Sequence, residues 1–167
     1  MKWLWIALLT VAVMVGFVAC VGLLLPRNHT VTRSSHFEAP PEAVWKVIAG
    51  PPTWRPDVQR FENLPPLNGH RAWKEVDRHG NGVIYEVVEE TPPFQLITRI
   101  ADPSLPYGGI WIHQITPEPG GCTLQITENG EVYNPFFRFM SRFVFGYTAT
   151  VDGFFKALHA KLGDGGS

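Results

Sequence analysis

Nothing ionisable lies between Lys2 and Arg27, and that stretch dictates how the rest of the chain must be read. Residues Trp3–Leu25 run WLWIALLTVAVMVGFVACVGLLL, broken only by Thr10, Gly16 and Gly22. As a helix rising about 1.5 Å per residue, the run crosses a hydrocarbon layer of about 30 Å. Trp3 and Trp5 fall where an interfacial aromatic belt would lie, and Pro26-Arg27-Asn28 stops the run. Two alternatives exist. A cleaved signal peptide has an apolar region of usually about 7–15 residues. A lipoprotein would carry its lipid on Cys20, but apolar sequence continues for five residues beyond it. The expectation is therefore an uncleaved single-span anchor through residues 3–25. Lys2 and the α-amino group nearly balance Arg27 and Arg33 across the span, so orientation stays open, with a lean toward a domain on the outer, periplasmic face.

With residues 1–27 assigned to the anchor, 28–163 form one soluble domain and 164–167 a flexible tail. A domain of roughly 140 residues buries an adequate core without disulfides or metals. The 14 Lys+Arg against 15 Asp+Glu leave a net charge of −1, which argues against a nucleic-acid partner. Cys20 and Cys122 make neither a disulfide framework nor a zinc motif. His29, His36, His70, His79, His113 and His159 show no HxH, HxxxH or HExxH spacing, so no metal and no cofactor is expected.

Along the domain, Thr30–Glu38 is extended and Pro41-Glu42 opens a helix, with Val44, Val47 and Ile48 on one face and Gly50 at its end. From Val58 the pattern changes to period two. Ala72–Arg78 and Val83–Glu89 flank Gly80-Asn81-Gly82 as a hairpin; Phe94–Ala101, Ile110–Thr116 and Cys122–Glu128 follow as strands. Without crossover helices the meander is antiparallel. Asn134-Pro135 then starts a helix that the pattern carries unbroken to Gly163, roughly 28 residues or about 40 Å.

Several stretches resemble the START/Bet v 1-like superfamily, in its polyketide cyclase/dehydrase and lipid-transport branch. They are APPEAVWKVI (Ala39–Ile48), WRPDV (Trp54–Val58), WKEVDRHGNGVIYEV (Trp73–Val87), GGIWIHQITP (Gly108–Pro117) and ITENGEVYNPFFRFMSRFVFGY (Ile126–Tyr147). The resemblance implies an α+β helix-grip fold: a curved antiparallel sheet of about six or seven strands wrapped on a long C-terminal helix, here behind a single transmembrane helix. It implies a hydrophobic cavity between sheet and helix and brings no catalytic motif.

A four-residue loop pairs Pro117 with Cys122, hence Ile115 with Leu124, His113 with Ile126 and Trp111 with Glu128, all on one face. His113 and Glu128 then lie within reach of a hydrogen bond or a bridging water. They are the candidates for a general acid/base pair, or for a polar anchor to a ligand oxygen. A carboxyl group in an apolar cavity should titrate high. Trp54, Trp73, Tyr85 and Trp111 suit the walls of a pocket for flat or acyl ligands. On the last helix Phe136, Met140, Phe143, Tyr147, Val151, Phe154, Leu158 and Leu162 form the sheet-facing stripe, placing Met140, Phe143 and Tyr147 among the ligand-lining residues. Phe137, Phe139, Val144 and Phe145 lie off that stripe, either under loops or against the bilayer with Arg138 and Arg142 at headgroups.

The expected partner is a hydrophobic small molecule or lipid, bound behind a membrane anchor. One alternative is a cyclase, dehydratase or hydrolase using His113 and Glu128. The other is a non-catalytic interaction or regulatory module. Ligand identity and oligomeric state are not legible in the residues.

Overall fold

Seven antiparallel strands make one sheet. The computed structural model describes residues 2–163; the tail expected at 164–167 lies outside them. The strands are β1 (Asn28–Phe37), β2 (Arg60–Leu67), β3 (His70–Val76), β4 (Gly82–Thr91), β5 (Gln95–Ile100), β6 (Tyr107–Glu118) and β7 (Gly121–Val132). From β2 to β7 each strand pairs with the next, whereas β1 returns to the far edge beside β7, with Phe37 opposite Cys122. Pro65-Pro66 interrupts the pairing of edge strand β2, the position in a sheet where missing N–H donors do least damage. The β6–β7 register is the one the loop length dictates: Pro117 opposite Cys122, His113 opposite Ile126 and Trp111 opposite Glu128.

Helix α1 (Lys2–Leu24) precedes the sheet, and α2 (Pro41–Ile48) crosses it with Pro41 in its first turn and Val44 fully buried. The C-terminal helix is not one rod. Asn134 caps α3 (Pro135–Met140), its side chain accepting from the Phe136 N–H. A π-helical turn follows at Ser141–Phe145, the chain breaks at Gly146 with φ +76°, and α4 (Ala149–Leu162) completes the grip. The expected uninterrupted helix of residues 135–162 is thus corrected. Glycine adopts a positive φ without steric cost, and the chain uses Gly146 to turn a second helix back onto the sheet.

The core lies at the end of the sheet near the β6–β7 turn. There Val151, Phe155 and Leu158 of α4 pack on Ile115, Cys122, Leu124 and Ile126, joined by Phe37 and Val44. Leu124 is fully buried. Leu124→Ala should therefore cost about 3–4 kcal/mol, read as a lowered midpoint in thermal or denaturant unfolding of the full chain.

Among the described residues α1 is the one helix long and apolar enough to cross a membrane. Almost its whole surface is exposed; contact with the domain is confined to its last turns, where Gly22 is buried. A Cβ at Gly22 would stand 2.0 Å from the Pro135 carbonyl oxygen, so only glycine allows α1 and α3 to approach this closely. Beside it the Arg138 guanidinium is buried. Its Nη1 donates to the carbonyls of Gly22 and Leu25 at 3.2 and 3.3 Å, its Nε to Val132 O and its Nη2 to Tyr133 O, both at 2.9 Å. The final carbonyls of a helix have no partner within it and carry its negative dipole end, so a cation with several donors satisfies both needs.

Candidate ligand-binding site

Moving along β6 and β7 away from their turn, the packed core gives way to open space beyond the start of α4, where the chain breaks at Gly146. A cavity of about 530 Å³ lies there, between the sheet and the α3–α4 segment. Its walls are aromatic. Trp73 and Tyr85, paired across β3 and β4, stack with ring centroids 5.6 Å apart; Trp54 and Trp111 each meet Phe154 of α4 edge-on, at 5.3 and 5.7 Å. Leu96, Thr98 and Ile100 of β5 form the floor.

Two polar groupings interrupt this surface. At one end Arg55, in the loop after α2, donates from Nη1 to Glu75 Oε2 at 3.0 Å and pairs with Asp57. The Trp73 indole N–H donates to the other Glu75 oxygen at 2.9 Å. Burial raises the Glu75 carboxyl above its ordinary value, against the attraction of Arg55. Burial of Tyr85 likewise drives its hydroxyl far toward the protonated form. Paired in this way, Arg55 and its two carboxylates form a hydrogen-bonded end wall with its cation fully partnered.

The second grouping is on β7. Glu128 Oε1 lies 3.8 Å from His29 Nε2, too far for a hydrogen bond, and Glu128 Oε2 is buried without a partner. Burial raises this carboxyl to about 7, against a smaller lowering influence of the neighbouring Trp111 indole. His29 stacks on Tyr147 at 4.2 Å, and burial lowers its imidazole pKa. Gly130 makes room for it: a Cβ there would come within 2.3 Å of the His29 ring. His113 and Glu128, expected within reach of a hydrogen bond or a bridging water, make no direct hydrogen bond to each other. His113 instead donates from Nδ1 to the Leu96 carbonyl at 3.2 Å, and burial drops its pKa to about 4, so it is neutral at pH 7.

Of the residues singled out from the sequence, Trp54, Trp73, Tyr85, Trp111, His113, Glu128 and Tyr147 border the cavity. Ile115, Leu124 and Ile126 face the same side but lie deeper along the strands, sealed under α2 and α4 in the core. Met140 and Phe143 do not border it either. Met140 closes α3, and Phe143 lies in the π turn that follows, 58 % exposed. Sequence reasoning missed Arg55, Glu75, His29 and Phe154. For Glu75 a signal was present: it alternates with Trp73 on one face of β3, a carboxylate two residues from an inward aromatic. Among the described residues no group of three or more His, Cys, Asp or Glu side chains is placed to hold a metal ion.

A seven-stranded sheet gripping a C-terminal helix around an aromatic hollow defines the Bet v 1-like helix-grip fold. The family model described as "Polyketide cyclase / dehydrase and lipid transport" matches residues 28–163, and the chain belongs to that family. Solved structures share the fold at low identity. A protein from Mesorhizobium loti is 20% identical with a TM-score of 0.61, over 81% of this chain and 97% of its own. The di-domain ARO/CYC StfQ from the steffimycin biosynthetic pathway is 14% identical with a TM-score of 0.61, over 80% of this chain and 50% of its own. Norcoclaurine synthase from Thalictrum flavum is 10% identical with a TM-score of 0.61, over 81% of this chain and 86% of its own. No curated protein matches the sequence.

Proposed function

We propose that this protein holds a hydrophobic small molecule or lipid in the sheet–helix cavity while α1 anchors it to a membrane. The observation that carries the reading is an aromatic-walled space of about 530 Å³ that contains one unpartnered carboxyl oxygen, Glu128 Oε2. Apolar burial would supply the affinity, at about 25 cal/mol per Å² before the costs of association. A ligand hydroxyl or amide N–H donating to Glu128 would remove the penalty of the orphaned oxygen and fix the ligand's direction. Anchoring is supported by Arg138: a leader cleaved from the mature protein would leave the guanidinium without the Gly22 and Leu25 carbonyls.

The test is native mass spectrometry with lipid analysis of the full chain extracted in mild detergent. A co-purifying hydrophobic molecule is expected. Thr98→Phe, which fills the floor, should reduce its occupancy at least tenfold, with a melting curve confirming that the variant is folded. Undiminished occupancy in that variant would place the ligand outside the cavity and overturn the reading.

A second reading has one observation in its favour. A carboxyl titrating near 7 is poised both to give and to take a proton, as an acid/base catalyst must. His113 would then serve as a neutral imidazole that orients substrate. The same extraction separates the two. A carrier yields the same bound species from wild type and Glu128→Gln, whereas an enzyme yields an unconverted species only from the variant.

A further inference from the structure

Five large apolar side chains of one short segment stand in the open. Phe136 and Phe137 on α3 are 47 and 45 % exposed, and Phe143, Val144 and Phe145 of the π turn are 58, 57 and 63 % exposed. A soluble surface seldom leaves so much contiguous apolar area to water. The neighbourhood of this segment supplies the explanation. Gly22 packs against Pro135, and Arg138 ties α3 to the last carbonyls of α1, so the patch cannot move independently of that helix. At about 1.5 Å per residue, the 23 residues of α1 make a rod slightly longer than a hydrocarbon layer of about 30 Å, which sets Gly22 near one of its faces.

We propose that Phe143, Val144 and Phe145, with Phe136 and Phe137, dip into the interface of the same bilayer that α1 spans, and that the cavity thereby receives its ligand directly from the membrane. This rests on the anchor and cavity readings above. Two further features favour a lipid surface over a protein partner. Arg142 and Arg27, both exposed, flank the patch where anionic headgroups would meet them. Moreover, the segment that forms the patch also borders the cavity, through Phe137, Ser141 and Phe145. A molecule leaving the acyl region beside α1 would meet the mouth without crossing water. The β6–β7 turn stands at the other end of two 12-residue strands, about 37 Å away at about 3.4 Å per residue, and would face the aqueous phase.

The experiment reconstitutes full-length protein into phosphatidylcholine/phosphatidylglycerol vesicles in a Cys20→Ala background; Cys122 is fully buried, out of reach of a labelling reagent. An environment-sensitive nitrobenzoxadiazole probe is attached through Val144→Cys or, as the water-side control, through Pro119→Cys. The expected result is blue-shifted emission from the first site, quenched several-fold more strongly by nitroxide-bearing lipids than emission from the control. Iodide should quench the two in the opposite order. Resistance to carbonate extraction together with an iodide-accessible probe at position 144 would overturn the proposal and leave the anchor standing. Shielding from both quenchers, with cross-linking to a second copy or another protein, would overturn it as well. Release by carbonate would remove the anchor reading, and the docking proposal with it.

Discussion

Arg138→Met should destabilise the full-length protein in detergent by roughly 3 kcal/mol, lowering the melting temperature by roughly 10 °C. Methionine preserves much of the apolar stem but has no donors. The carbonyls of Val132 and Tyr133, and those of Gly22 and Leu25 at the end of α1, would lose their partner inside the protein. A buried acceptor left unpaired costs about 1–3 kcal/mol, and water can reach some of the four but not all of them. The favourable meeting of a cation with the negative end of α1 disappears at the same time. Loosening should be local at first. Trypsin cleavage after the exposed Arg27, whose carbonyl accepts from the Val132 N–H at 2.8 Å, should accelerate before the sheet becomes susceptible. Arg138→Lys restores the charge but concentrates its donors at one nitrogen, which cannot reach all four carbonyls, so its recovery should be partial. Unchanged melting and unchanged cleavage in Arg138→Met would mean that α1 is not docked on the domain.

The same residue shows where sequence reasoning stops. Periodicity identified the strands from β3 to β7, and the short loop between Pro117 and Cys122 identified the β6–β7 register, because both depend on neighbours in the chain. Arg138 reads locally as a polar residue on an aromatic helix; its carbonyl partners in α1 are more than a hundred positions away. Glu128 is similar. The sequence placed it opposite Trp111 on the cavity side, but its histidine neighbour comes from β1, which reaches β7 by a long-range pairing that no local pattern encodes. Ile115, Leu124 and Ile126 illustrate a different limit. Alternation assigns a face and is silent on depth; which rows are covered depends on where α4 begins. That start is set by Gly146, whose positive φ is invisible in a helical pattern running through it on both sides.

Two buried groups in the cavity should tilt the pH dependence of stability in opposite directions, by about 3 kcal/mol each at 1.36 kcal/mol per pKa unit. The Glu128 carboxyl moves from 4.5 to about 7 on folding. Between those values the unfolded chain has released a proton that the folded chain retains. Glu128 therefore makes stability fall as pH rises through that window, and the loss is complete above about 7. The His113 imidazole moves from 6.5 to about 4. Its contribution is intact above 6.5 and is lost as pH falls toward about 4, because only the unfolded chain accepts the proton in between. In the wild type the two slopes oppose each other over most of the acidic range, and its stability should change little there. Glu128→Gln removes one slope and should leave a protein that gains about 3 kcal/mol from pH 4 to 6.5, with the lowered His29 pKa acting in the same direction. His113→Phe removes the other and should leave one that loses a similar amount from pH 4.5 to 7. Losing the hydrogen bond to Leu96 O adds an offset but no slope. Denaturant midpoints measured in detergent across that range read both effects. A flat curve for His113→Phe would mean that water solvates Glu128 freely, and a hydrated carboxylate has no orphaned oxygen for a ligand to satisfy.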